Sequence, residues 1–399
     1  MKVGIVALHW PPDYGGAERY NSRIVEELNN NGVEAWGITP TADGGTNWDN
    51  GTEYVHRIGV NHSPNLADSK GMKLWLEYAY EHIRQNNYTH VIRYNGGCNA
   101  GHTIYHEGVK FVTHHIPCGV FFGIKSIIGP GCVVNISKFF QEIRYLNSNG
   151  IKTDGLVYIA DNAHITMEKH VKEDSKDEEI GTTRTGNGPT YRDKYSRKGY
   201  RVQQFDILYP YAIDFYEEFH NRKEDIHALF EGAQGFELDI DWGDYPYVTS
   251  SHCTTAGALL NGIPPQALDR VWGVAKAYET YVGTKEFEPK DEIFSTIRDL
   301  GSEYGATTGR PRQCNWMDIG RLKRSINING VQSLVINKMD ILRELGQWTL
   351  RNGNVTVSFE TEKDFKDYIV DQLPSVEIYF SGSPHGFSST AYNKDKAVA

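Results

Sequence analysis

The first forty residues read as strand, breaker turn, helix and strand, an order that leaves few architectures open. Residues 3–8 form a continuous apolar run of the kind a sheet buries on both faces. Pro11-Pro12-Asp13-Tyr14-Gly15-Gly16 ends it, since proline removes backbone donors and glycine tolerates a tight turn. Ala17, Tyr20, Ile24 and Leu28 then recur at helical spacing, and Asn and Gly stop the helix after Asn30. Residues 33–38 return as a strand. Strands joined through a helix lie parallel, because only a crossover brings the chain back to the same sheet edge. The expected class is therefore α/β, with a central, mostly parallel sheet, helices on both faces and long loops.

At 399 residues the chain has room for one large or two modest domains. Its formal charge of -10 argues against nucleic acid, whose phosphates favour a clustered basic surface. No apolar run is long enough to span a bilayer, and the one at the start is short for a signal peptide. The five cysteines are odd in number, scattered, and form no CxxC pair, which fits reduced thiols in a cytoplasm.

From about Tyr88 the texture changes: short strands such as 91–94 and 127–128 alternate with glycine-rich loops. Asn95-Gly96-Gly97-Cys98-Asn99-Ala100-Gly101-His102-Thr103 lets the backbone approach a ligand and ends on a histidine, though alone it also reads as a turn with a structural His. Ile180-Gly181-Thr182-Thr183-Arg184-Thr185-Gly186-Asn187-Gly188-Pro189, followed by a basic cluster through Lys198, offers hydroxyls and cations to a phosphate, or is a solvated surface loop. Phe230-Glu231-Gly232-Ala233-Gln234-Gly235 can aim the Gln234 amide at a base or phosphate, or is an ordinary βα turn. Gly305-Ala306-Thr307-Thr308-Gly309-Arg310-Pro311-Arg312 suits carboxylates, which arginine binds through two parallel hydrogen bonds. Asn337-Lys338-Met339-Asp340 at a strand end can read a purine, the Asp accepting from ring and exocyclic N–H groups. The charged stretch 170–179 reads as an exposed helix end or loop, and the polar tail after Phe387 as frayed.

In this order the segments IRYNGGxNAGHT, IGTTxxGxGPxYxDK, FEGAQGxxLDID with YPYVTSS, GATTGRxR and NKMD resemble the adenylosuccinate synthetase family over about residues 88–384, roughly three-quarters of the chain. The short end near Ser381-Gly382-Ser383-Pro384 is similar to the phage branch that acts on dGMP. That resemblance implies a ligase. The purine 6-oxygen attacks the γ-phosphate of ATP, dATP or GTP, and the aspartate amine then displaces the 6-phosphoryl group. The product from dGMP would be 2-aminoadenylosuccinate nucleotide. IMP is the alternative substrate, and a nucleotide-binding protein without turnover is another reading. By the same resemblance His102 stabilises phosphoryl transfer, with Gln234 also catalytic. Gly101 helps hold Mg²⁺. Asn99, Thr183, Gln234 and Thr249 contact the monophosphate, and Arg197 reaches a partner's monophosphate across a homodimer. Thr307, Thr308, Arg310 and Arg312 serve L-aspartate. Asn337, Lys338, Asp340 and Ser381 face the triphosphate base.

The family's N-terminal GDEGKGK phosphate loop is missing from its usual place. Residues 1–61, including HWPPDYGGAERY, instead resemble the N-terminal lobe of two-lobed glycosyltransferases, whose second, donor-binding lobe has no counterpart here. The expected division is thus a βαβ segment at 1–87, a synthetase-like domain at 88–387 and a loose tail at 388–399. If the first segment completes the site, Asp13 stands in as base and metal ligand, with Gly15-Gly16 and Arg19 replacing the phosphate loop.

Overall fold

The computed structural model describes residues 2–6, 34–41, 47–48 and 55–59 as backbone, and 88–106, 109–176, 180–221, 225–305, 309–382 and 391–394 with side chains except that of Tyr105. Two compact units emerge. One comprises Met1–Thr89, Lys223–His227 and Ser388–Ala391, and the other the remainder.

In the first unit, β1 (Lys2–Val6) pairs parallel with β2 (Glu34–Thr41), as the strand–helix–strand pattern requires. Next to β2 lies β4 (Val55–Gly59), also parallel, and β3 (Asn47–Trp48) closes the edge antiparallel. Asp13, Gly15-Gly16 and Arg19 lie outside the described residues, as does most of 1–61, on which the glycosyltransferase resemblance rested.

The second unit carries two parallel sheets. The larger has five strands, in the order β12 (Ala212–Ile213), β10 (Val157–Ala160), β8 (Lys125–Ile128), β5 (His90–Arg93), β13 (Ala228–Glu231). Every neighbouring pair in it is parallel. All four residues of β5 are buried, since a central parallel strand has no solvent face, and its polar ends are paired, His90 with Glu218 and Arg93 with Glu231. The smaller sheet orders β14 (Trp272–Lys276), β17 (Ser333–Asn337), β20 (Glu377–Phe380). The hairpins β6–β7 (His102–His106, Val109–Thr113) and β18–β19 (Trp348–Asn352, Val355–Phe359), the antiparallel pair β15–β16 (Tyr278–Tyr281, Gln313–Trp316) and the short parallel pair β9–β11 (Val133–Val134, His164–Ile165) complete the described strands.

Each sheet has its own core. Helix α1 (Ile136–Ser148), capped where the Asn135 side chain accepts the Lys138 N–H, turns Phe139, Ile143 and Leu146 inward against Ile92, Ile127, Ile128 and Ile159. Phe294, Trp316, Ile336, Leu350 and Phe365 fill the second core.

Two expectations about charged and polar stretches change. The segment from His170 is not a solvated end. His170 and Asp174 lie buried on α2 (Glu168–Asp174), packed against α3 (Asn187–Tyr195). His170 Nδ1 accepts the Met167 N–H at 3.0 Å, so its Nε2–H donates to Asp193 Oδ2 at 3.0 Å, and Asp174 accepts the Gly186 N–H at 2.7 Å. Paired burial of charge, which composition does not reveal, anchors the hydroxyl-rich loop before α3. Tyr392, in the stretch expected to be loose, packs on Phe380 and donates its hydroxyl to Asp367 at 2.9 Å. All five cysteines are free, and burial raises every thiol, Cys98 and Cys314 to about 11 and Cys132 and Cys253 to about 12. Among the described residues no helix is long and apolar enough to cross a membrane.

Candidate active site

In parallel sheets, ligands gather at the carboxyl ends of the strands. Here Arg93 and Glu231 are register partners at the last positions of β5 and β13. Glu231 Oε1 accepts from Arg93 Nη2 at 2.8 Å and lies 2.5 Å from His102 Nδ1, while its Oε2 takes the Cys118 N–H at 2.8 Å. Arg93 Nη1 stands 3.0 Å from His102 Nε2. A guanidinium has no acceptor, so Nε2 must accept and Nδ1–H must donate to Glu231. The ring is thereby fixed in one tautomer and one orientation. Burial alone would raise the Glu231 carboxyl, but the charge of Arg93 and the bonds from His102 and Cys118 outweigh it and hold it down to about 2. Arg93 and Glu231 were not singled out from the sequence, because 138 residues separate them.

The loop after β5 is locked to the turn after β13. Asn95 Nδ2 donates to the Ala233 carbonyl at 3.1 Å and its Oδ1 accepts the Ala233 N–H at 2.9 Å. Gly96, at φ +81°, is required on two counts: side chains rarely adopt that backbone, and a Cβ would lie 3.0 Å from Gln234 Oε1. A Cβ at Gly97 would lie 2.8 Å from Asn187 Oδ1 and 2.7 Å from the Val133 carbonyl. Gln234 itself sits at φ +65°, a left-handed conformation that costs a side-chain-bearing residue roughly 1 kcal/mol. Both amide atoms of Gln234, and both of Asn187, are buried without a protein partner. Leaving four such groups unpaired costs several kcal/mol in total on the scale of about 1–3 each, so they are groups that a ligand would satisfy. Asn187 was read only as part of a loop; its burial is a tertiary property.

Other expected residues converge here. Asn99 Oδ1 accepts the Gly97 N–H at 3.2 Å. Thr183 and Thr185 share a hydroxyl hydrogen bond of 2.9 Å. Arg310 Nη1 donates to the Gly181 carbonyl at 3.1 Å, so the arginine loop meets the hydroxyl loop. Gly188 faces Ser250, next to Thr249, whose N–H bonds the Leu238 carbonyl at 2.8 Å. Arg312 pairs with Glu303 at 3.2 Å, which makes it an internal support for its loop. Arg197 is exposed at φ +63° just beyond α3. Thr307 and Thr308 lie outside the described residues.

Asn337, Lys338, Asp340 and Ser381 gather at the strand ends of the smaller sheet. Ser381 donates its N–H to the Ile336 carbonyl at 2.8 Å and accepts from Met339 at 3.1 Å. Lys338, at φ +65°, donates Nζ to the Gly301 carbonyl at 2.9 Å, and Asp340 lies in the first turn of α4 (Met339–Leu345). The two groups are joined through charge: Glu303, which holds Arg312, also takes Lys276 at 2.7 Å, and Lys276 is the register partner of Asn337.

Magnesium is implied by the resemblance. Next to His102 the only carboxylate among these partners, Glu231, has both oxygens committed, and Asp13 lies outside the described residues. The described donors around His102 therefore do not make a magnesium site. Asp239, Asp241 and His252 form a possible ligand group elsewhere, but Asp239 already accepts four backbone N–H bonds.

Parallel sheets whose strand ends carry glycine turns, buried carboxamides and guanidiniums define an α/β nucleotide-handling protein. Residues 82–207 and 205–377 match the family model described as adenylosuccinate synthetase. The chain is 40% identical over 319 residues to the adenylosuccinate synthetase of Caldanaerobacter subterraneus, spanning 66% of this chain and 74% of that one. It is 36% identical over 330 residues to that of Aquifex aeolicus, spanning 70% and 75%. The fully ligated adenylosuccinate synthetase of Plasmodium falciparum superposes with a TM-score of 0.69 at 26% identity, covering 79% of this chain and 96% of that one. The cyanophage S-2L succinoaminodeoxyadenylate synthetase, solved with dGMP and dATP, shares the fold at a TM-score of 0.62 and 19% identity, covering 81% and 92%. The chain belongs to the adenylosuccinate synthetase family, whose ligases join aspartate to a purine nucleotide.

Proposed function

We propose that this chain turns over as a ligase joining L-aspartate to the 6-position of dGMP, driven by ATP, dATP or GTP through a 6-phosphoryl intermediate. The supporting observation is the pair of buried carboxamides, Gln234 and Asn187, flanking Gly96-Gly97. A 2-amino-6-oxopurine offers an acceptor at O6 and donors at the 2-amine, the complement of an amide N–H and an amide oxygen. Gln234 would take the 6-oxygen and Asn187 the 2-amine. His102, anchored through Nδ1 on Glu231, would present Nε2 to the transferring group once Arg93 releases it. Glu231, bonded to Nδ1, would hold the ring in that orientation. Arg310 would clamp an aspartate carboxylate, and Arg197 would reach the monophosphate of a second copy in a cytoplasmic homodimer. Asn337, Lys338, Asp340 and Ser381 would receive the triphosphate base.

The test is incorporation of labelled aspartate with dGMP or IMP as competing acceptors. Product from dGMP in preference to IMP supports the proposal, and product from IMP alone overturns its substrate. Adenylosuccinate synthetase on IMP is the second reading, favoured by the 36–40% identity to bacterial enzymes of that name. Binding of dGMP without phosphate release would instead mark a silent nucleotide-binding protein.

Arg310→Lys is expected to raise the aspartate KM by about tenfold with little change in kcat, since a point charge cannot replace a two-pronged guanidinium. Aspartate saturation curves check this, and an unchanged KM removes the assignment.

A further inference from the structure

A cavity of about 270 Å³ has Asn162, His164, Lys194, Tyr195, Arg201 and His252 in its wall; none of the residues placed above on substrate lines it, although Asn95 and Tyr191, which hold the Gly96 loop, do. No Asp or Glu lines it. Lys194 and Arg201 make no ion pair with any described residue; Asp161, which feels the charge of Arg201, lies outside the lining. Lys194 Nζ uses one proton on the Pro130 carbonyl at 3.1 Å, which leaves two N–H groups. His164 is only 8% exposed, yet its Nδ1 has no partner, and the buried Asn162 Oδ1 also lacks one. Local backbone sets the convergence: the turn after α3 brings Arg201 into a bridge directly opposite His164.

Two cations and a buried imidazole with no carboxylate in the lining make a site short of negative charge; Asp241 meets the wall from outside it, at 3.3 Å from His252. We propose that this cavity binds a small oxyanion, either free phosphate or the phosphate group of a nucleotide, through Lys194, Arg201 and His164. A tetrahedral oxyanion accepts from several donors at once, which a single backbone carbonyl cannot do. Burial, followed by the charges of Lys194 and Arg201, lowers His164 to about 4, and an anion seated here would relieve that repulsion. The inference does not depend on dGMP being the substrate.

Calorimetry on the full chain tests it with inorganic phosphate and, separately, with dGMP. Arg201→Gln and Lys194→Met should each weaken phosphate binding by about tenfold or more, as expected when a charge-assisted hydrogen bond is lost. Arg310→Gln should leave it unchanged. If dGMP, but not free phosphate, responds to Arg201→Gln, the nucleotide is the source of the oxyanion. Phosphate binding that survives both cavity substitutions, or disappears in Arg310→Gln, overturns the site. The wild-type protein gives a check independent of variant folding: phosphate should shift the His164 ring proton resonance, and a resonance that stays still also overturns it. Sedimentation separates the remaining possibility. If wild type binds no phosphate and Arg201→Gln alters the oligomer, a second copy fills the cavity and the oxyanion assignment falls.

Discussion

His102→Ala is expected to lower turnover of aspartate addition by about 10²–10⁴-fold, the usual contribution of a positioned proton-transfer group, while leaving monophosphate binding nearly intact. The magnitude follows from how firmly the ring is held. Glu231 fixes Nδ1 and Arg93 meets Nε2, so the imidazole is ordered before substrate arrives. Asn99, Thr183 and Thr249 do not depend on that ring in any bond of the structure, which is why binding should persist. Steady-state rates alongside calorimetry with dGMP check the prediction. Unchanged turnover would remove the role given to His102.

Glu231→Gln should cost about 3–5 kcal/mol of folding stability, because it leaves the fully buried Arg93 guanidinium without its counter-charge. Urea unfolding measures this, and a loss under about 1 kcal/mol would show that the pair contributes little. The same carboxyl predicts an acid limb. Its folded value of about 2 lies below the ordinary value of 4.5. The ionised form is therefore favoured in the folded state, and the stability it supplies is complete above pH ~5 and is lost as pH falls towards 2. Glu231→Gln should flatten that part of the wild-type stability curve. It should also lower turnover, since the His102 ring loses the carboxylate that fixes its tautomer and orientation. A substitution that only weakened packing would lower stability without lowering the turnover of the folded enzyme.

Much of this was legible because it is local. Residues 3–8 and 33–38 announced parallel strands through apolar runs flanking a helical repeat, and the strands Lys2–Val6 and Glu34–Thr41 pair so. The glycines at 96 and 97 announced close backbone approach, and the atoms that approach are those of Gln234, Asn187 and the Val133 carbonyl. Asn337-Lys338-Met339-Asp340 was placed at a strand end, where it stands. His170 and Asp174 misled because charge was taken as a sign of solvent. Their buried partners, Asp193 and the Gly186 N–H, come from α3 and the turn before it.

The chain's own residues determined the α/β class, the family and the glycine-rich loops at the strand ends, because hydrophobic period, turn chemistry and motif order are all local in sequence. Tertiary structure alone decided which tautomer His102 holds, that Arg93 and Glu231 flank it, that Asn187 and Gln234 keep unmet amides beside two glycines, and that Lys194, Arg201 and His164 surround a cavity without an acid. The reason is physical: those properties depend on burial and on partners many residues away, and neither is set until the sheets close over them.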